Sequence, residues 1–135
     1  MADRVTIVIP GKPFGKQRPK FDPRSGHAYT PGATVSFEQT VRELAAQKIR
    51  TPLEGPVIMT LEAVFVPAKS WSKKRRAAAL GTLHTQKPDL DNIEKAILDG
   101  LNRIAFADDQ QVADVRKRKL WGEREETIIT LEARS

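Results

Sequence analysis

The stretch Lys87-Pro88-Asp89-Leu90-Asp91-Asn92-Ile93-Glu94-Lys95-Ala96-Ile97-Leu98-Asp99-Gly100-Leu101-Asn102, followed by Ala105-Phe106-Ala107-Asp108-Asp109-Gln110-Gln111-Val112, decides how this chain is read. Ile93, Ile97, Leu101 and Ile104 recur at helical spacing, and Asn92, Lys95, Asp99 and Asn102 fill the opposite side. That pattern predicts an amphipathic helix over Leu90–Asn102. Pro88 disfavours helix at Lys87, which leaves Asp89 near the helix start, where the helix dipole favours a carboxylate. Lys95 follows Asp91 by one turn on the same face, and Asp99 lies one turn further. Asp108-Asp109 come after a helix of about three turns. A chain reversal there can return one of them to the sheet beside Asp89 and Asp91.

Working outward, Val112–Trp121 and Glu126–Ala133 read as a final strand pair joined through Gly122. In the second, Thr127, Ile129, Leu131 and Ala133 alternate with Glu126, Ile128, Thr130 and Glu132. In the first, Arg116-Lys117-Arg118-Lys119 puts cations on both faces, as an edge strand does. Upstream, Val57–Val66 places Val57, Met59, Leu61, Ala63 and Phe65 on one parity and is closed by Pro67, so it is a long strand. Phe37, Val41, Leu44, Ala45 and Ile49 mark a helix over about Thr34–Arg50, with Ser36 and Gln39 resembling a capping box. Val5–Ile9 is a short strand ended by Pro10-Gly11, and Pro10–Gly32 is loop, dense in Pro and Gly. Ser70 or Ser72 caps a short basic helix that ends before Gly81. The order is β-α-β-(short α)-α-β-β, an α/β fold with a mixed sheet of about four strands packed with two main helices. All of residues 1–135 read as a single domain.

The chain has 135 residues, enough for a core without staples, and carries 23 Lys+Arg against 17 Asp+Glu, a net charge of +6. With no Cys, disulfides and zinc–thiolate sites are excluded. The apolar runs are too short for a membrane span or a secretion signal, so a soluble protein with no membrane partner is expected. A basic excess points to a polyanion, most often nucleic acid. The cations concentrate at Lys12, Lys16, Arg18, Lys20 and Arg24, at Lys73, Lys74, Arg75 and Arg76, and at Arg116 and Arg118. The first group is interleaved with Phe14, Phe21 and Tyr29, which suits a phosphate-tracking surface or an ordinary solvated loop.

Converging carboxylates repel and raise each other's pKa, a cost that a bound cation relieves. Oxygen-only donors suit Mg²⁺ or Mn²⁺. In a basic protein such a site suits phosphodiester chemistry, with Lys95 placed to neutralise charge on the pentavalent phosphate. The plainer reading makes Asp89 and Asp91 helix caps and Lys95 a partner one turn along. An EF-hand is excluded because Ile93 and Glu94 occupy the positions that need an oxygen donor and Gly. No Walker A, G-x-S-x-G or G-x-G-x-x-G is present. His27 and His84 fall in expected loops. His84 is a candidate general base or a solvated loop side chain.

The two-part motif quoted above closely resembles the signature of the RusA family of Holliday-junction resolvases, over Lys87–Val112. The Gly11-Lys12-Pro13 and Arg18-Pro19-Lys20 loop, the Ser70-Trp71-Ser72-Lys73-Lys74 segment and the final strands resemble it more loosely. The resemblance implies a homodimeric, Mg²⁺-dependent endonuclease of bacterial or prophage origin, acting in the cytoplasm on four-way DNA junctions. It implies metal carboxylates at Asp89, Asp91 and Asp109, and an essential lysine at Lys95. Asn92, Asp99 and Asp108 then support the site without binding metal. The rivals are a non-catalytic DNA- or RNA-binding protein and a nuclease acting on other branched DNA.

Overall fold

A computed structural model describes residues 4–134. Four strands form the main sheet: β1 (Arg4–Pro10), β4 (Val57–Phe65), β5 (Val112–Trp121) and β6 (Glu126–Ala133), in the order β1-β6-β4-β5. β6 is antiparallel to both neighbours, and β4 and β5 are parallel, so the sheet is mixed as expected. The alternation in β4 is realised, with Val57, Met59, Leu61, Ala63 and Phe65 all buried. Strand pairing carries that face to Ile7 and Ile9 on β1 and to Ile129 and Leu131 on β6.

Two helices cover this face, α1 (Gly32–Lys48) and α3 (Leu90–Leu101). α3 buries Ile93, Ala96, Ile97, Gly100 and Leu101, the stripe expected from its periodicity. α1 begins at Gly32 behind Pro31, with no side-chain cap. Ser36 therefore lies inside the helix, and its carbonyl accepts from the Thr40 hydroxyl instead of opening a capping box. The short basic helix α2 (Lys73–Ala79) is capped by Ser72, whose hydroxyl accepts from the Arg75 N–H at 3.1 Å.

Two further expectations change. β5 and β6 are not a hairpin: β4 lies between them. Gly122 carries the chain across the end of β4, its N–H on the Phe65 carbonyl at 2.8 Å. A Cβ at Gly122 would meet Val64 Cγ1 at 2.5 Å, so only glycine lets the backbone cross this close. The Pro10–Gly32 segment also contains a small hairpin, β2 (Lys20–Asp22) with β3 (His27–Tyr29). It is largely exposed on both faces, so it leaves no hydrophobic alternation to read. Among the described residues, no helix is long and apolar enough to cross a membrane.

Candidate active site

α3 runs back alongside β5, and the lysines of β5 hold its amino-terminal half in place. Val115, Lys117, Lys119 and Trp121 alternate on the helix-facing side of the strand. The Lys119 ammonium donates to the carbonyls of Gln86 at 2.5 Å and Pro88 at 2.9 Å, fixing the segment that leads into Asp89. The Lys87–Pro88 peptide bond is cis. From the other side the amino-terminal loop closes in, with the Lys16 N–H on the Asn92 carbonyl at 2.9 Å. Gly15 there approaches so closely that a Cβ would stand 2.7 Å from the Pro88 Cβ.

Asp89 takes the cap position of α3, and its carbonyl accepts from the Asn92 and Ile93 N–H groups. Its carboxylate makes no cap hydrogen bond, so capping does not use the side chain. With Lys12, Gly15, Lys87, Pro88 and Asn92 it lines a depression of about 430 Å³. Asp91 points elsewhere: its carboxylate is 2.9 Å from the Lys117 ammonium, which also contacts Glu94 at 2.6 Å. Those two carboxylates hold the Lys117 pKa above its ordinary value, against the opposing effect of burial. Lys95 is not the ion-pair partner of Asp91, and among the described residues it forms no ion pair.

Asp91, Glu94, Lys95, Leu98, Asp99 and Asp109 together line a second depression, of about 230 Å³. Asp109 reaches it from the 3-10 turn Asp109–Gln111, with its N–H on Asn102 Oδ1 at 3.1 Å. Asp108 caps this turn and accepts from the Gln110 N–H at 3.1 Å. Gln111 completes the box: its carbonyl oxygen accepts from Ala107 and Asp108, and its amide donates to the Leu53 and Gly55 carbonyls. The spacing Asp108-x-x-Gln111 carries that signal in the sequence. Burial, then hydrogen bonding to Asp108 and the charges of Asp108 and Asp99, push the Asp109 carboxyl above its ordinary value. The chain reversal thus returns Asp109 to the Asp99 end of α3, and Asp99 is about 12 Å along the axis from Asp91.

Asp99 itself forms ion pairs with Lys16, which also meets Glu38 at 3.2 Å. Burial lowers the Lys16 pKa, but Asp99 and Glu38 together outweigh it and hold the ammonium above its ordinary value. Lys16, expected among the DNA-facing cations, thus joins the loop to α1 and α3. Among the described residues, no three Asp, Glu or His side chains stand close enough to enclose a metal ion. The donors are nonetheless hard oxygens spread around an open depression. That suits a cation which keeps several waters and takes only one or two carboxylates directly.

The chain matches the family described as Endodeoxyribonuclease RusA over residues 10–132. The protein belongs to the RusA endodeoxyribonuclease family. It is also 34% identical over 128 residues, 90% of each chain, to the uncharacterized protein YqaN of Bacillus subtilis strain 168. The RusA match runs from the end of β1 to near the end of β6, so it takes in both depressions and the basic segments around them.

In this RusA-family chain the remaining cations divide by what they touch. Lys12, Arg18, Lys20, Lys73, Lys74 and Arg116 are exposed. Arg75 lies over the Trp71 ring, 3.7 Å from its centre. Arg76 is half-buried, and Arg118 pairs with Glu62 of β4, its Nε at 2.7 Å. His84 is not solvated, and it is not among the residues lining either depression. It is buried, stacked 3.9 Å from Phe65 and tilted 4.4 Å from Trp121. Sequence reasoning takes Lys117 and Lys119 only as edge-strand cations and gives Glu94, Glu38 and Gln111 no place at the site, yet all five make contacts that position it.

Proposed function

We propose that this protein is a Mg²⁺-dependent Holliday-junction resolvase. Two copies acting together in the bacterial cytoplasm would each nick one of two opposed strands of a four-way junction. The observation that carries this reading is the depression shared by Asp91, Asp99, Asp109 and Lys95, which forms no ion pair among the described residues, inside a protein of net charge +6 that belongs to an endodeoxyribonuclease family. Asp91 and Asp109, which share that depression, are the carboxylates that would hold Mg²⁺, with Mn²⁺ as a substitute, and Asp89, which lines the other depression at the start of α3, would join them. When bound, the metal supplies a Lewis acid for the scissile phosphate and a water of lowered pKa. Burial, then the hydrogen bond to Asp108, raises the Asp109 pKa, and the charges of Asp108 and Asp99 add a like-charge contribution that a bound cation would relieve.

The protein's own groups do the rest. Lys95, which forms no ion pair among the described residues, is placed to meet the charge that develops on the phosphoryl oxygens. Asn102 and Asp108 fix the turn that presents Asp109. Asp99 and Asn92 hold the amino-terminal loop, one through Lys16 and the other through its carbonyl. Exposed cations on that loop, on α2 and at Arg116 hold backbone phosphates, so selectivity comes from junction shape and not base edges. Two-fold symmetry supplies paired sites from one chain.

The test is a labelled four-way junction with Mg²⁺, scored for two symmetric, ligatable nicks. Asp89→Asn, Asp91→Asn and Asp109→Asn are expected to abolish cleavage and keep junction binding. Lys95→Ala is expected to lower kcat by roughly a hundredfold or more. Unpaired nicking, stronger cleavage of forks than of junctions, or normal cutting by the Asp variants overturns the assignment.

A further inference from the structure

Lys117 is the cation set most directly against the acidic side of α3, and the mechanism above makes no use of it. From β5 its ammonium bridges Asp91 at 2.9 Å and Glu94 at 2.6 Å, two carboxylates one helical turn apart. The two partners differ in setting. The Asp91 side chain is 89% exposed, and that of Glu94 only 20%. The shorter contact goes to the more buried carboxylate, where water competes less for the pair. An ammonium and a hydrated divalent cation seek the same carboxylate oxygens and repel each other, so the Asp91 carboxylate cannot serve both well.

We infer that Lys117 is the resident counter-cation of Asp91. A divalent cation reaches Asp91 by displacing this ammonium, and Glu94 keeps the displaced ammonium at the site. The inference rests on the reading of Asp89, Asp91 and Asp109 as the metal-holding carboxylates. Lys117 is then a positioning residue: it orients Asp91 before loading and sets how readily the cation binds. Glu94 acts through Lys117 by drawing the ammonium away from Asp91.

The experiment measures Mn²⁺ binding to the full chain without DNA, from the loss of the free-ion electron paramagnetic resonance signal. Lys117→Met is expected to tighten Mn²⁺ binding about threefold, the scale of an exposed ion pair. Glu94→Gln is expected to loosen it by a similar factor, because Lys117 then leans wholly on Asp91. In the double variant the Glu94→Gln effect should vanish, since no ammonium is left to hold. A direct field effect of Glu94, or its direct ligation of the metal, would persist there. Lys117→Gln repeats the test, and circular dichroism verifies that each variant is folded.

Unchanged or weaker binding in both Lys117 variants overturns the inference, as does a Glu94→Gln effect that survives in the double variant. Failure of the underlying metal reading looks different. The unsubstituted protein would then bind no Mn²⁺, or Asp91→Asn and Asp109→Asn would leave its binding intact.

Discussion

Gly100 of α3 lies flush against Val41 of α1. A Cβ at position 100 would stand 2.7 Å from the Val41 Cβ and 3.1 Å from the Glu38 carbonyl oxygen, and Val41 is fully buried. This contact sets how close α3 sits to α1, and so where the acidic face of α3 stands over the loop and β5. Gly100→Ala gains about 1 kcal/mol of helix propensity. Against that stands overpacking against a β-branched side chain and a backbone, which costs about 1–3 kcal/mol. The variant is expected to be destabilised in urea unfolding, and adding Val41→Ala is not expected to recover the loss, because the Val41 Cβ and the Glu38 carbonyl both remain. A single variant more stable than the parent would show that α1 can give way.

Lys16 joins the amino-terminal loop to both helices through Glu38 and Asp99. Its raised pKa makes the contribution depend on pH in a definite sense. Where the folded pKa lies above the unfolded one, the folded chain holds the proton more tightly. The stabilisation is therefore complete below the ordinary 10.5 and is lost as pH rises through the folded value. Lys16→Met is expected to lose about 1 kcal/mol at pH 7, discounted for partial exposure. The gap from the parent should close at alkaline pH. Urea unfolding at neutral and alkaline pH measures this, and a gap that widens with pH would contradict the ion-pair account.

These contacts also mark what the amino-acid order discloses and what it leaves hidden. The face of β4 and the stripe of α3 were legible because each buries one side, which imposes a period of two or of 3.6 on the apolar residues. The partner of β6 was not legible. A short link through Gly122 looks the same whether the chain folds back as a hairpin or crosses the end of β4, and only the non-local pairing with β4 decides. The carboxylates were legible as types at a spacing. The cations that hold them were not, because Lys16 lies 83 positions from Asp99 and Lys117 lies 26 from Asp91. His84 likewise read as a loop residue, since nothing nearby in sequence announces a stack on Phe65 and Trp121.

That stack gives His84 an acid-side consequence. Burial, then the charge of Lys119, lower its pKa from the ordinary 6.5, and its Nδ1 has no hydrogen-bond partner among the described residues. The folded protein thus holds the ring neutral where the unfolded chain would begin to protonate. Between the folded value and 6.5 the unfolded state binds more protons, so stability falls as pH drops through that window. His84→Phe keeps a ring against Phe65 and Trp121 and removes the ionisation. Its melting temperature is expected to decline less than the parent's from neutral pH to pH about 5. Parallel declines would mean that other groups set the acid limb.

The β2–β3 hairpin presents Phe21 at 66% exposure and Tyr29 at 51%. Tyr29 is paired with Lys20 and Phe21 with Ala28, so the two rings lie on opposite faces of the ribbon. Exposed rings this large add nothing to the core, so Phe21→Ala and Tyr29→Ala are expected to leave unfolding unchanged. On a branched DNA they offer stacking platforms to unpaired bases, worth roughly 1–3 kcal/mol each by alanine substitution. Stacking releases no counterions, whereas a phosphate contact does. Each aromatic variant is therefore expected to weaken junction binding by roughly tenfold with the salt dependence unchanged. Lys20→Ala should weaken it less at high salt and lower the salt slope by about 1. Junction binding measured across a salt series separates the two effects. Aromatic variants that bind as tightly as the parent would leave the hairpin a plain solvated loop.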